Sequence, residues 1–396
     1  MRDQPSSRPD TGAPSRKRSS RLWWSRGRLP VLAVLSLLSL VLAGNAVAVA
    51  APAMPTPTSE TASPSGPVPA VRQTADGGRS PSGATCRNFY MPVTGHPTDP
   101  ATHQVWGQLC ARGTLSGKTV QLLVPGGAYT HVYWDWPGQP RTYSYVDYAT
   151  RHGYATLNLD KLGYGLSDHP NPVLLDFRTQ AHVVHQVVQY LRNGNLGTRF
   201  DTVVTNGHSM GGLTIEYEAS KYQDVDGLIV SGFGHELNVA TTDNPFARNT
   251  TPASTDPAFA DQPWAPGYYT TKPASRCAVF SYPGDVDPRN CTVEEQTKGT
   301  LTQGELDTIV PDSYDQVNTR QITAPALWSL GIHDILWCPE TSDCTTAPAA
   351  DRERGYWQPG LLTQYITPQA GHSVNVGYGA PQFYARTIEW LRQNAL

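Results

Sequence analysis

The chain has 396 residues, a formal net charge of −3, 39% hydrophobic residues and six cysteines. That length allows one large α/β domain or two smaller ones, with a substantial core in either case. The balance of charge excludes a basic nucleic-acid face in the body of the chain.

The first 29 residues are rich in Arg, Ser and Pro, Val31 to Ala43 is an apolar run, and Ala48-Val49-Ala50 follows it. A basic flank, a short apolar stretch and small residues before a cut site predict a secretory signal peptide over residues 1–50. The competing reading is an uncleaved anchor. Spanning needs about 20 apolar residues, and this run is interrupted at Gly44 and Asn45. Seven Arg and one Lys against Asp3 and Asp10 leave the remaining chain acidic, and no Cys near the cut site is available for lipid modification. No stable membrane insertion is therefore expected after cleavage. Residues 51–85 are mostly Pro, Ser, Thr, Ala and Gly, which bury too little surface to offset ordering, so a disordered linker is expected there and the folded body begins near Cys86.

In that body Asn88–Val93, Gln104–Ala111 and Lys118–Val124 read as strands, the third leading into Pro125-Gly126-Gly127-Ala128. A helical stretch, Thr142–His152, precedes a strand at Ala155–Asp160. A helix from about Asp176 to Arg192 carries Val183, Val184, Val187, Val188 and Leu191 at helical spacing. Strand Val203–Asn206, the helix-compatible Leu213–Tyr222 and strand Gly227–Ser231 follow. Residues from about 235 to 320 break the alternation, and an insertion of that size implies a cap or lid of its own structure. Strands Ala324–Leu330 and Leu361–Ile366 and a closing helix Pro381–Asn394 complete the chain. Strand and helix alternating in this way predict a mostly parallel sheet covered on both faces.

All six cysteines lie beyond residue 85, and an even number suits an oxidising compartment. Of fifteen formal pairings, spacing favours Cys86 with Cys110, Cys277 with Cys291, and Cys338 with Cys344; none has zinc-type spacing.

The chemistry concentrates at Gly207-His208-Ser209-Met210-Gly211-Gly212, where Gly-x-Ser-x-Gly sits between a strand and a helix. A nucleophile elbow needs that order: a strained turn lifts the Ser Oγ above the sheet edge, and helix N–H groups point at developing charge. Side chains at 207 and 211 would collide with the neighbouring strand and helix. Ser209 is the candidate nucleophile.

With the elbow stands Asp160-x-x-Gly163-x-Gly165-x-Ser167-Asp168, a glycine loop after the third strand, and an Asp and a His in suitable chain order. On these motifs residues 86–396 resemble the α/β-hydrolase superfamily, in the branch of secreted serine esterases and lipases with a cap. The resemblance implies the α/β-hydrolase fold, with Ser209 as nucleophile, His372 in Gly371-His372-Ser373 as general base, and Asp334 in Gly331-Ile332-His333-Asp334 as the acid orienting it. Glu236 after strand Gly227–Ser231 is a rival acid, and His333 a bystander. It further implies an oxyanion site from the N–H groups of Met210 and Gly127, with Ala128 as an alternative second donor. No metal or organic cofactor follows from this chemistry.

The expected function is a secreted serine hydrolase acting on a small-molecule carboxylic ester through an acyl-enzyme. Peptidase or amidase, lactonase and acyltransferase chemistry use the same triad, and a non-catalytic surface binding protein is a further alternative. Tyr129, Trp134, Trp264 and Tyr268 are candidate substrate contacts, although such aromatics are often core. Secreted cutinases share the elbow but lack so large an insertion, which favours a small or medium ester over a polymer. Oligomeric state is not legible in the sequence.

Overall fold

In chain order the strands are β1 (Arg72–Gln73), β2 (Thr85–Thr94), β3 (Thr102–Ala111), β4 (Val120–Val124), β5 (Ala155–Leu159), β6 (Val203–His208), β7 (Gly227–Ser231), β8 (Thr250–Pro252), β9 (Tyr268–Thr271), β10 (Leu301–Thr302), β11 (Ala326–Gly331) and β12 (Leu362–Thr367). They belong to a computed structural model that describes residues 70–74, 83–235, 244–313, 319–338 and 347–396. The expected leader, most of the expected linker, Glu236 and Cys344 lie outside the described residues.

The main sheet has the order β1-β2-β3-β5-β4-β6-β7-β11-β12. From β5 to β12 every neighbouring pair is parallel, while β1, β2 and β3 form an antiparallel entry. Strands β4, β5, β6, β7 and β11 are buried at every position, as parallel strands covered by helices on both faces must be. Cys86 stands directly opposite Cys110 in the β2–β3 register and is bonded to it.

Two boundaries differ from expectation. Arg72 and Gln73 pair with Tyr90 and Phe89 on β2, so ordered chain begins upstream of Cys86, inside the segment read as linker. The open edge of β2 offers unpaired backbone groups, and a short polar strand satisfies some of them. The helix expected over Thr142–His152 is two, α1 (Pro140–Tyr143) and α2 (Tyr145–Arg151), because Ser144 turns extended between them. Its hydroxyl accepts from the Asp147 N–H at 2.9 Å and donates to Asp135 Oδ1 at 2.6 Å, so a capping residue inside the helical pattern ended one helix and began another.

Helix α3 (Phe177–Arg192) buries the predicted valine stripe and is capped by the Asp176 carboxylate, which accepts from Thr179 N–H at 2.7 Å. Helix α4 (Met210–Tyr222) follows β6 and packs beside α3.

The insertion has structure of its own. Strands β8, β9 and β10 make a small antiparallel sheet, accompanied by α5 (Pro245–Arg248), α6 (Arg276–Phe280), α7 (Pro288–Gln296) and α8 (Gln303–Ser313). Helices α6 and α7 are joined by Cys277–Cys291. The insertion's separate apolar cluster is small, centred on Ala253, Ala265 and Tyr268, so most of its stability must come from docking on the main domain. Cys338 is disulfide-bonded. Among the described residues no helix is long and apolar enough to cross a membrane.

Candidate active site

Three strand ends converge. β6 delivers Ser209, the turn after β11 delivers Asp334, and the loop after β12 delivers His372, all at the carboxyl edge of the parallel strands where such sheets place their sites.

Ser209 sits at φ 54° and ψ −123°, a conformation that costs a non-glycine residue on the order of 1–3 kcal/mol and persists only where surroundings enforce it. Those surroundings are explicit. Its N–H donates to Ser231 O at 2.7 Å, and its carbonyl accepts from Gly212 N–H at 2.7 Å. A Cβ on Gly207 would stand 2.4 Å from Gly211 O, and one on Gly211 would stand 2.3 Å from Val124 O. Both glycines are therefore required by close backbone approach. Ser209 is partly exposed, while His372 and Asp334 are buried.

His372 Nδ1 lies 2.9 Å from Asp334 Oδ2. The other carboxylate oxygen of Asp334 accepts from Leu336 N–H at 3.0 Å, and the Asp334 carbonyl accepts from Cys338 N–H at 2.9 Å, so the acid is fixed from two sides. His333, the neighbour read as a bystander, stacks on Tyr282 of the insertion at 3.7 Å and does not join the pair.

The glycine loop after β4 abuts the elbow. A Cβ on Gly126 would meet Ser209 Cβ at 3.0 Å, and one on Gly127 would meet Met210 Sδ at 2.1 Å. The N–H of Ala128, considered as an alternative oxyanion donor, is already given to Thr300 O at 3.0 Å. That leaves Gly127 and Met210 as the donor pair to weigh, Met210 being the first residue of α4, whose N–H has no intrahelical acceptor.

Beside this pair runs a buried network that sequence reasoning did not find. Tyr129 O–H donates to Glu294 Oε1 at 2.7 Å and lies 2.5 Å from Ser373 Oγ, next to His372. Arg276 spreads over the Tyr129 ring at 4.4 Å and donates to Ala128 O at 2.8 Å. Burial holds the Tyr129 hydroxyl well above its usual value and raises the Glu294 carboxyl, with Arg276 opposing the latter. Arg276 and Glu294 sit one residue before and three after the bonded Cys277 and Cys291, so charges next to cysteines within the insertion were the available signal.

His208 stacks on Tyr133 at 4.4 Å and lies 4.8 Å from the His372 ring. Burial, then repulsion from His372, holds its imidazole well below the usual range, so it stays neutral. A neutral, packed ring serves as a wall for His372.

The candidate substrate aromatics divide. Tyr129 and Trp134 are core residues in the structure, with Trp134 fully buried against Tyr133 and Tyr145, so they present no free face to a ligand. Trp264 stacks on His169 at 3.8 Å, and Tyr268 O–H donates to Pro170 O at 2.7 Å. Both dock the insertion on the loop after β5. The Asp160 motif is structural as well: its carboxylate accepts from His131 N–H and Leu166 N–H at 2.7 and 2.9 Å, tying the loop after β5 to the loop after β4.

Residues 121–387 match the model of the alpha/beta hydrolase family. No curated protein is significantly similar in sequence. Among solved structures, the chain is similar to a thermophilic esterase from Thermogutta terrifontis at 15% identity and TM-score 0.53, covering 77% of this chain and 98% of that one. It is similar to a monoacylglycerol lipase from Paleococcus ferrophilus at 15% identity and TM-score 0.51, covering 73% and 99%. A bromoperoxidase from Bacillus anthracis is comparable, at 17% identity and TM-score 0.53, covering 76% and 100%. Likeness at this identity establishes the fold and names no substrate.

Proposed function

Because the chain belongs to the alpha/beta hydrolase family, we propose that it is a secreted serine hydrolase that cleaves small carboxylic esters through Ser209, His372 and Asp334. The observation that carries this reading is the His372–Asp334 pair at 2.9 Å converging on the same sheet edge as a serine at φ 54°. Two disulfides, Cys86–Cys110 and Cys277–Cys291, support an exported protein, as does the leader-like sequence of residues 1–50.

The chemistry follows from which atoms are free. With Nδ1–H donating to Asp334 Oδ2, the imidazole keeps Nε2 as the base that takes the Ser209 proton while Oγ attacks the ester carbonyl carbon. The tetrahedral oxyanion is held by the N–H groups of Gly127 and Met210. Its collapse expels the alcohol, which takes the proton from His372, and leaves an acyl-enzyme. Water, deprotonated by the same nitrogen, then attacks the acyl carbon and releases the acid and Ser209. Asp334 orients the ring and stabilises its cation without accepting the proton.

The test is a panel of aryl and alkyl esters, lactones, amides and acyl acceptors, run beside a serine-reactive phosphonate. Ester turnover and phosphonate on Ser209 are expected. Ser209→Ala or His372→Ala should lower turnover by roughly a million-fold, and Asp334→Asn by on the order of ten-thousand-fold. Turnover that survives Ser209→Ala would overturn the assignment. Amide or lactone turnover above that of every ester would move the reaction class while keeping the triad.

A further inference from the structure

Away from the elbow, the far end of α4 gathers a second set of polar groups. Glu218 lies on the α4 face that meets α3, where His185 faces it. Helix α4 ends at Tyr222, and Gln223 takes a left-handed conformation at φ 51°, turning the chain so that Asp224 comes back beside His185. At 1.5 Å per helical residue, Glu218 stands about 13 Å along the helix from the elbow, so this cluster is not part of the proposed catalytic set.

The distances within it are those of a metal-binding group. His185 Nδ1 is 2.8 Å from Asp224 Oδ2 and 4.0 Å from Glu218 Oε1, and one ligand atom from each of the three residues lies within 4.8 Å of the others. Four ligands at 2.0–2.1 Å around a tetrahedral ion stand about 3.3 Å apart, between the two separations seen. Binding would need Glu218 to move closer to His185 Nδ1 and Asp224 Oδ2 to move away from it, each by about an ångström or less.

An independent observation indicates a missing partner. Glu218 is wholly buried, and no nitrogen or hydroxyl donor reaches either of its carboxylate oxygens; the group it meets is the Asp224 carboxylate. A buried carboxylate without donors costs several kcal/mol unless a cation or proton satisfies it, and it faces a second carboxylate. Arg192, whose charge acts on Glu218, is occupied elsewhere: it donates to Asp226 Oδ2 at 2.7 Å and to the Asp224 carbonyl at 2.9 Å. The remaining groups around the cluster hold the ligands in place. Gln189 Nε2 donates to Asp224 Oδ2 at 2.5 Å, and the Tyr222 ring stacks on His185 at 3.8 Å. His185 and Asp224 keep about a fifth of their side-chain surface exposed, which leaves an entry path.

We propose that His185, Glu218 and Asp224 bind one divalent zinc ion, with water as fourth ligand, pinning α3 to the end of α4. The ligand chemistry selects the metal. An imidazole nitrogen in a three-residue set disfavours calcium and magnesium, which take six or more oxygen ligands, and suits zinc. The role is structural, because the ion joins two helices about 13 Å along α4 from the elbow, and its two charges neutralise the two carboxylates.

The test uses the untagged full chain, stripped with chelator and titrated with zinc chloride, reading heat of binding, metal content after dialysis, and thermal unfolding. One zinc per chain and a rise in Tm that saturates at one equivalent are expected, with calcium and magnesium chlorides giving neither. Glu218→Gln keeps the shape of the side chain and His185→Ala removes the nitrogen ligand. Each should weaken zinc binding by at least the ten- to hundred-fold that even outer-shell changes cost, while ester turnover stays that of the parent. Should His185→Ala fail to fold, Glu218→Gln decides alone, since the amide keeps the shape of a side chain that has no hydrogen-bond donor to lose. Zinc binding of equal affinity and stoichiometry in Glu218→Gln, or no saturable zinc binding in the parent chain, would overturn the site. Neither result touches the ester-hydrolase reading, whose test depends on Ser209.

Discussion

At the scale of single residues, the elbow is held by contacts of two different stiffnesses. A methyl at Gly211 would collide with the backbone carbonyls of Val124 and Pro125, at 2.3 and 2.7 Å, and backbone in the centre of a parallel sheet has nowhere to go. A methyl at Gly127 would meet the Met210 sulfur, the far part of a flexible side chain that can rotate away. Gly211→Ala should therefore cost at least about 3 kcal/mol in urea unfolding, and Gly127→Ala about 1 kcal/mol. Gly127→Ala should nonetheless lower ester kcat, because the added methyl and the displaced Met210 side chain lie beside the two proposed oxyanion donors. Equal stability losses in the two variants would show that the loop after β4 is as rigid as the strand. This division was partly legible beforehand. Gly-x-Ser-x-Gly between a strand and a helix marks the proposed nucleophile Ser209, because local backbone demands leave local residue signatures, while His372 and Asp334 were reached through the family resemblance. The network of Arg276, Glu294 and Tyr129 left no such local pattern beyond charges beside two cysteines and one aromatic after the glycine loop, since Arg276 and Glu294 come to Ala128 and Tyr129 only through folding of the insertion, across 148 and 165 residues of chain.

At the scale of elements, the strands and helices of the main domain matched their sequence patterns because burial on both faces writes long apolar runs, whereas the split at Ser144 depended on one hydroxyl's choice of partner. The insertion was unreadable internally for the opposite reason: its strands are short, and what fixes them is contact with the main domain. Its connection between α6 and α7 shows this. Ser373 N–H donates to Phe280 O at 2.8 Å, Val286 bridges to Gly377, and Asp285 Oδ1 accepts from Gly379 N–H at 2.8 Å, so this connection grips the loop that carries His372. Burial pushes the Asp285 carboxyl up to about 6, with the Gly379 N–H opposing. The folded chain thus holds a proton on Asp285 that the unfolded chain releases near its ordinary value of 3.8. Between those two pH values the native state binds more protons, so this group's contribution is present below about pH 4 and is lost as pH rises through about 6. Asp285→Asn keeps an oxygen for Gly379 and cannot ionise. Its Tm relative to the parent should rise between pH 4 and pH 7 by about 2–4 °C for each kcal/mol that the ion costs. A Tm difference independent of pH would mean that Asp285 ionises freely in the folded protein.

At the scale of the whole molecule, the insertion and the sheet behave as one cooperative body if the groups buried between them are mutually dependent, and the Lys161–Glu305 pair is where that dependence is sharpest. Lys161, from the loop after β5, lies 2.5 Å from Glu305 of α8, and both side chains are fully buried. Glu305 is further held by Tyr164 O–H at 2.5 Å and by the Thr302 N–H at 3.2 Å, in a reciprocal cap in which Thr302 Oγ1 accepts from Glu305 N–H. Burial lowers the Lys161 amine and the Glu305 carboxylate opposes that shift, so the ammonium depends on its partner. Removing one partner strands the other without its counter-ion, which costs about 3–5 kcal/mol, whereas removing both need not. Lys161→Met and Glu305→Gln should each destabilise by about that amount, and the double variant should cost less than the sum, with a coupling of about 1–3 kcal/mol. The amide in the double variant still accepts from Tyr164 and Thr302, so the α8 cap survives and the comparison isolates the charges. Each single variant should also change the ranking of esters by acyl size more than it changes turnover of the smallest, because what loosens is the insertion expected to act as a cap, while His372 and Asp334 keep their own supports. Additive losses in the cycle, or a uniform loss of turnover across all esters, would show that the insertion is docked by other contacts and that the pair serves only the loop after β5.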